Sequence, residues 1–175
     1  FTDTKEREEV VDFVTYYSAG TSFYVKADGG PTINELADLC GHSVGVERGT
    51  IQANDAAAQN EACTKEGKAG VKVLVFPDQN AANLSISSGR AEVGMADTPV
   101  AAHIVNESSG QFKLTGSAYN TAPYGIAIPK GNGMAEPILE ALKVLISNGT
   151  YDDILTKWGL ESGAISDPTI NGALS

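Results

Sequence analysis

The chain has 175 residues, of which 42% are hydrophobic and 19% charged, so it can form one domain or two small lobes around an apolar core. Its net charge of −10 argues against binding to nucleic acid, which requires a basic face, and gives no polybasic patch for anionic lipid. No apolar run approaches the ~20 residues that cross a bilayer. The chain opens at Phe1 rather than at methionine, and we expect a processed or truncated chain whose export signal or lipid anchor lies upstream.

Short strands and helices alternate along most of the sequence. Apolar runs and period-two patterns predict strands at residues 22–26, 43–47, 71–76, 92–96, 112–116 and 124–128. Capping residues and helical periodicity predict helices at 32–39, 51–65, 78–88, 134–148 and 150–158, with a further helix opening at Thr98-Pro99. This alternation predicts an α/β fold with a largely parallel sheet, followed by an irregular tail after Leu160.

The two cysteines, Cys40 and Cys63, leave two interpretations open. Their spacing fits no zinc pattern, and the chain has no second pair to complete one, so no metal site is predicted. They are either separate reduced core residues or one disulfide. A disulfide would indicate an oxidising compartment.

Polar groups follow two of the predicted strands, at the end where parallel sheets bind ligands. Thr50 and Ile51 begin the helix after the strand 43–47, and backbone N–H groups at a helix start suit a carboxylate. Asp97 follows the strand 92–96 and offers a carboxylate to an ammonium group. Taken alone, Thr50 and Asp97 are more simply explained as helix N-caps.

Arg7 lies in the polar opening segment, where its guanidinium can bind a carboxylate through two hydrogen bonds. The simpler interpretation is a solvated helix face of mixed charge. The residue type and position of Thr2, taken alone, indicate no function. Neither His42 nor His103 has metal-ligand spacing, and the sequence contains no nucleophile elbow, metalloprotease motif or P-loop. The residues therefore predict no cofactor and no catalytic group.

Several segments, taken in order, carry a resemblance to a known family. They are Phe1–Arg7, Val11–Phe13, Gly45–Thr50, Gly89–Glu92, Asp97–Pro99, Tyr124–Lys130, Asn148–Tyr151 and Lys157–Gly159. Together they resemble the polar amino-acid-binding proteins of ABC importers, exported solute-binding proteins with the type II periplasmic-binding-protein fold. The resemblance runs from Phe1 to about Leu160 and depends on the ordered set, since no single motif is specific.

The resemblance implies two lobes that are joined by extended crossings and close on a ligand. It implies the divisions 1–21 (first-lobe segment), 22–25 (hinge crossing), 26–123 (complete second lobe), 124–160 (return to the first lobe) and 161–175 (C-terminal tail). The family's N-terminal part of the first lobe is absent from this sequence. We therefore expect the helices from Met134 to Trp158 to expose an apolar face and to detach, repack or pair with another chain.

The resemblance also implies a set of binding residues. By position, Arg7 would hold the α-carboxylate of an amino acid, with the Thr2 hydroxyl nearby in the same lobe. Thr50 and Ile51 would complete that interaction from the other lobe, and Asp97 would receive the α-ammonium. Ile51 departs from the family, which often has a small residue there, and its bulk would restrict the ligand.

The implied function is the binding of a small amino acid or related polar solute for delivery to the membrane subunits of an ABC importer, without catalysis. An exported family implies a periplasmic or cell-surface location and favours a Cys40–Cys63 disulfide. One alternative is a receptor-type sensory ligand-binding domain. A second is an enzyme of the cyclohexadienyl dehydratase type, which needs a general acid in the cleft, where only Asp97 is predicted.

Overall fold

The computed structural model describes residues 1–174. Its strands are β1 (Val11–Lys26), β2 (Ser43–Glu47), β3 (Lys72–Phe76), β4 (Val93–Asp97) and β5 (Phe112–Pro129). Its α-helices are α1 (Lys5–Glu8), α2 (Ile51–Lys65), α3 (Gln79–Ser87), α4 (Thr98–Glu107), α5 (Ala135–Ser147) and α6 (Thr150–Trp158). Short 3-10 helices lie at Leu36–Leu39 and Glu161–Gly163. Within the described residues, every helix is too short or too polar to cross a membrane.

The chain divides into two compact units. Unit 1 consists of Phe1–Ala19 and Thr121–Ser175, and unit 2 is the continuous stretch Gly20–Asn120. Both divisions fall inside long strands, because β1 and β5 each begin in one unit and end in the other. The chain therefore passes between the units twice, each time in extended conformation.

Unit 2 is built on a mixed sheet. The strand order is β3-β2-β4-β1-β5, with β2 parallel to both β3 and β4. These three parallel strands agree with the predicted alternation of strands and helices, whereas β1 runs antiparallel to β4 and places Thr21 opposite Asp97. Because β2 and β4 are parallel, their carboxyl ends, at Glu47 and Asp97, meet at the same edge of the sheet.

A disulfide lies in the core of unit 2. Cys40 and Cys63 are bonded, with their Cα atoms 5.7 Å apart, which confirms the disulfide that the family resemblance favoured. Cys63 is fully buried on α2, and Cys40 packs against the same core. The bridge closes a sequence separation of 23 residues, and in the chain-entropy model it stabilises the fold by about 3 kcal/mol.

Unit 1 packs α5 and α6 on the strand segments that it contains. Its core consists of Val14, Tyr17, Ala19, Ile128, Leu139, Leu142, Tyr151 and Leu155. The tail, which the sequence predicts to be irregular, instead follows β1: Val14 forms a bridge with Ile170, and the Thr15 N–H donates to the Thr169 carbonyl at 2.9 Å. Exposed apolar side chains remain on α5 and α6, so pairing of this face with another chain stays a prediction.

Candidate functional site

Asp97 ends β4 and occupies the N-cap position of α4. An N-capping aspartate usually accepts a hydrogen bond from an N–H of the first helical turn. Within α4, which is wholly described, the Asp97 side chain makes no such bond. Its Oδ1 instead accepts a hydrogen bond of 2.7 Å from Nε2 of Gln52. The carboxylate is held by a different helix from the one that it precedes, so capping does not explain its position.

Gln52 brings the start of α2 to the end of β4. It lies in the first turn of α2, is 4% exposed, and donates a second hydrogen bond of 2.8 Å to Oγ1 of Thr21. Thr21 is the residue opposite Asp97 in the β1–β4 register. The first turn of α2 and the Asp97 carboxylate are therefore neighbours, joined by one buried amide.

Thr50 is the N-cap of α2, as its residue type predicts. Its Oγ1 accepts from the Ala53 N–H at 3.2 Å and donates to the Glu47 carbonyl at 2.8 Å. In any α-helix the first N–H groups have no acceptor within the helix, and they carry the partial positive charge of the helix dipole. In α2 these groups include those of Ile51 and Gln52, so the start of α2 is suited to an anionic group beside Asp97.

A second carboxyl group lies close to this cluster. The Tyr119 hydroxyl donates to Oδ2 of Asp55 at 2.8 Å and also interacts with the Thr21 side chain. The Tyr119 ring stacks on Phe23, with centroids 5.4 Å apart. Burial raises the pKa of the Asp55 carboxyl, and the bond from Tyr119 opposes that rise. Asp55, Tyr119 and Thr21 thus extend the hydrogen-bonded network around Gln52.

In unit 1 the structure brings Arg7 and Thr2 together. Nη1 of Arg7 donates to the Thr2 carbonyl at 2.9 Å, and the guanidinium lies 4.7 Å from the centre of the Phe1 ring. Thr2 is buried and pairs with Tyr124 of β5. Arg7 itself is half-buried rather than fully solvated. The guanidinium is thus fixed to its own segment, which differs from the solvated helix face that the charge pattern alone favours.

Asp3, next to Thr2, holds the C-terminal segment. It is 2% exposed, and its Oδ2 accepts a hydrogen bond of 2.8 Å from the Gly172 N–H. Burial, followed by the negative charge of Glu8, raises the pKa of Asp3 to about 6 from its ordinary value of 3.8. The segment that carries Thr2 and Arg7 is therefore tied to the tail through a carboxyl group that titrates in the mildly acidic range.

The sequence does not predict Asp55 or Tyr119 as site residues, nor Gln52 and Thr21, whose side chains contact each other. Gln52 carries a weak signal, since it is a polar residue in the first helical turn, two positions after the predicted N-cap. Thr21 has no local signal, because it lies just outside the predicted strand 22–26. Both owe their place to contacts with residues that are distant in sequence. Among residues 1–174, His, Cys, Asp and Glu side chains form no group of three that could hold a metal.

The two α/β units, the connecting strands β1 and β5, and polar side chains at the ends of β2 and β4 define a protein of the periplasmic-binding-protein fold class. The sequence matches the bacterial extracellular solute-binding proteins, family 3, over residues 1–161. This match covers most of the chain, and the chain belongs to that family.

Relatives of known specificity support the same assignment. The chain is 31% identical over 172 residues to an arginine-binding protein of Corynebacterium glutamicum, covering 98% of this chain and 56% of that protein. It is 32% identical over 166 residues to an ABC transporter glutamine-binding protein of Bacillus subtilis, covering 93% of this chain and 57% of that protein. The chain thus spans somewhat more than half the length of these relatives.

A solved structure of an amino-acid-binding protein is similar to this chain in both sequence and fold. An ancestral arginine-binding protein bound to glutamine shares 35% sequence identity with this chain and superposes with a TM-score of 0.78. The superposition covers 90% of this chain and 68% of that protein. The sequence and the structure thus point to the same family.

Proposed function

We propose that the gene product carrying this sequence binds a polar α-amino acid, without changing it chemically, and delivers it to an ABC importer. The observation that carries the proposal is the contact between Gln52 and Asp97, which joins the start of α2 to a carboxylate at 2.7 Å. A free α-amino acid carries a carboxylate and an ammonium on one carbon. A helix start beside a carboxylate offers a complementary partner to each group.

In unit 2 each residue has a distinct proposed role. Asp97 receives the α-ammonium, while the backbone N–H groups at the start of α2, next to Thr50 and Ile51, receive the α-carboxylate. Hydrogen bonds to charged groups contribute about 1.5–3 kcal/mol each. A few such bonds are enough for the roughly −8 kcal/mol of micromolar binding.

In unit 1 we propose that Arg7 binds the ligand carboxylate and that Thr2 supports it. The support for this role is that the Arg7 guanidinium is already fixed by the Thr2 carbonyl and the Phe1 ring. A fixed guanidinium loses less side-chain entropy when it binds a carboxylate. This matters because ordering long side chains opposes binding.

The relatives suggest which amino acids to test first. The C. glutamicum relative binds arginine, the B. subtilis relative binds glutamine, and the ancestral arginine-binding protein was solved with glutamine. We propose arginine and glutamine as the leading ligands, with the bulk of Ile51 restricting larger or differently shaped ones. The Cys40–Cys63 disulfide supports an exported, periplasmic or cell-surface location, where importer membrane subunits would receive the ligand.

Titration calorimetry of this gene product tests the proposal. L-Arginine, L-glutamine, L-glutamate, L-cystine and the remaining common amino acids are each added to the folded protein. We expect saturable binding of at least one polar amino acid, and a melting temperature that rises with its concentration as mass action requires. A folded protein that releases no binding heat and shows no thermal shift with any of them would contradict the proposal.

A further inference from the structure

We propose that Gln52 is the positioning residue of the ammonium site: it holds the Asp97 carboxylate in the orientation that receives the α-amino group of the ligand. The inference rests on the proposed function and deepens it, because it assigns a role to a residue that would not itself contact the amino group. The role is orientation rather than direct binding.

The geometry of the Gln52 side chain matches this role. Its Nε2 carries two hydrogens and makes two bonds, at 2.7 Å to Oδ1 of Asp97 and at 2.8 Å to Oγ1 of Thr21. An ionised carboxylate has only acceptor atoms, so the nitrogen of the amide, and not its oxygen, must face Asp97. Both hydrogens are therefore committed, and the amide has one orientation that satisfies them.

The two acceptors are held in place by the sheet. Thr21 and Asp97 are directly opposite each other in the antiparallel register of β1 and β4. Thr21 and Gln52 are 3% and 4% exposed, so water competes little for these bonds. Next to them, the Thr98 hydroxyl donates to the Gly20 carbonyl at 2.9 Å, which ties the start of α4 to β1. The Asp97 carboxylate is thus oriented from the side by a rigid strand pair and a buried amide.

The chemistry of the amide suits an ammonium site. A lysine or arginine at position 52 would also orient Asp97, but its positive charge would compete with the ligand ammonium for the same carboxylate. A neutral amide donates a hydrogen bond and leaves the negative charge of Asp97 in place. Gln52 also belongs to the first turn of α2, so it fixes the distance between Asp97 and the helix N–H groups proposed for the carboxylate.

The competing explanation is that Gln52 is a buried polar side chain that only stabilises the fold. The two roles differ in what the loss of Gln52 does to ligand discrimination. A structural role would weaken the binding of all ligands alike. A positioning role would weaken ligands that carry an α-amino group and leave those without one unchanged.

The test uses Gln52→Met, which keeps the side-chain length and removes both hydrogen bonds. Its affinities for L-arginine and L-glutamine are compared with those for the same molecules lacking the α-amino group, 5-guanidinopentanoate and 5-amino-5-oxopentanoate. Gln59→Met is the matched control, since Gln59 lies on the same helix and its amide contacts the disulfide sulfurs of Cys40 and Cys63. Thermal melts of each variant establish that it is folded.

We expect Gln52→Met to weaken amino-acid binding about tenfold, the loss typical of a hydrogen bond to a charged group, and to leave the deaminated analogues within about twofold. In the Asp97→Asn background, the same substitution should change affinity by less than about twofold, because the charge that it positions is gone. Gln59→Met should leave the ratio of the two affinities unchanged.

Three results would overturn the inference, and the third is distinguishable from the first two. If Asp97→Asn weakens amino-acid binding but Gln52→Met does not, or if Gln52→Met weakens both ligand types equally, the positioning role is wrong and the proposed function stands. If the unmodified protein binds neither L-arginine nor L-glutamine nor any other α-amino acid, the proposed function fails and the role of Gln52 fails with it.

Discussion

Asp3 and Glu8 hold successive backbone N–H groups of the C-terminal segment. Oδ2 of Asp3 accepts from Gly172 at 2.8 Å, and Oε1 of Glu8 accepts from Ala173 at 3.0 Å. The Glu8 charge adds to burial in raising the pKa of Asp3 to about 6. Asp3, which precedes α1, and Glu8, the last residue of α1, therefore anchor the tail beside the segment that carries Thr2.

Asp3→Asn should stabilise unit 1 at neutral pH. The pKa of Asp3 is 3.8 before folding and about 6 in the folded state, so the folded protein binds the extra proton between these values. The stability that this proton supplies is lost as the pH rises through about 6. Asparagine keeps an acceptor for the Gly172 N–H and cannot ionise, so we expect a gain of about 1–3 kcal/mol in unfolding free energy at pH 7.5.

The measurement is urea denaturation of both proteins at pH 5 and pH 7.5, followed by circular dichroism. The gain should shrink at pH 5, where Asp3 itself is largely protonated. Asp28→Asn is the control, because Asp28 is exposed in a turn of unit 2 and should change neither curve. A loss of stability of the same size at both pH values would contradict a pKa near 6 for Asp3.

Asp97→Asn should weaken amino-acid binding by about tenfold to a hundredfold, because it removes the charge that the α-ammonium requires. The matched control is Asp78→Asn, since Asp78 also lies between a strand and a helix but caps α3 through a bond of 2.9 Å from the Ala81 N–H. Asparagine is as good an N-cap as aspartate, so this variant should bind normally. Titration calorimetry with L-arginine and L-glutamine measures both, and equal losses in the two variants would argue against a binding role for Asp97.

Reduction of the Cys40–Cys63 disulfide should cost unit 2 about 3 kcal/mol of stability, because the unfolded chain regains the conformational freedom that the closed loop had removed. The double variant Cys40→Ala/Cys63→Ala provides the control, since a reductant should have no further effect on it. Urea denaturation with and without dithiothreitol checks this. Unfolding curves of the natural protein that coincide under both conditions would exclude a stabilising role.

Much of the fold could be predicted from local sequence signals. The helix predicted at 51–65 is observed as Ile51–Lys65, because its N-cap and its end are both encoded locally. The long strands were predicted only in part, since the half of β1 in unit 1 is held by the tail through contacts such as Thr15 with Thr169. Pairing between residues that are 154 positions apart produces no local sequence pattern.

One local signal was misleading. Thr32 and Glu35 have capping-box spacing, yet the structure has a 3-10 helix at Leu36–Leu39, with Glu35 as its N-cap and Asp38 completing the box. The reason is tertiary. The Ile33 N–H donates to Oγ1 of Thr115 at 3.0 Å, and the same hydroxyl donates to the Ile33 carbonyl at 3.1 Å. These bonds commit the backbone of Ile33 to β5 and prevent a helix from starting at Thr32.

In the candidate site, too, some residues could be predicted from local sequence signals and others are placed by contacts with distant residues. Asp97 and Thr50 were predictable because each follows a strand and begins a helix, and parallel strands bring such positions to one edge. Gln52 was not, because its partners Thr21 and Asp97 are 31 and 45 residues away. A first-turn glutamine has no fixed role until the sheet register brings those two residues together.

The most direct test of the account is a titration of the ¹⁵N-labelled protein with L-arginine and L-glutamine, followed by NMR. If the start of α2 receives the α-carboxylate and Asp97 receives the α-ammonium, the backbone N–H signals of Ile51 and Gln52 and those next to Asp97 will shift together and saturate at one ligand per protein. The N–H signals at the start of α3 will not move. Saturable binding that leaves the α2 and Asp97 signals unchanged would contradict the account.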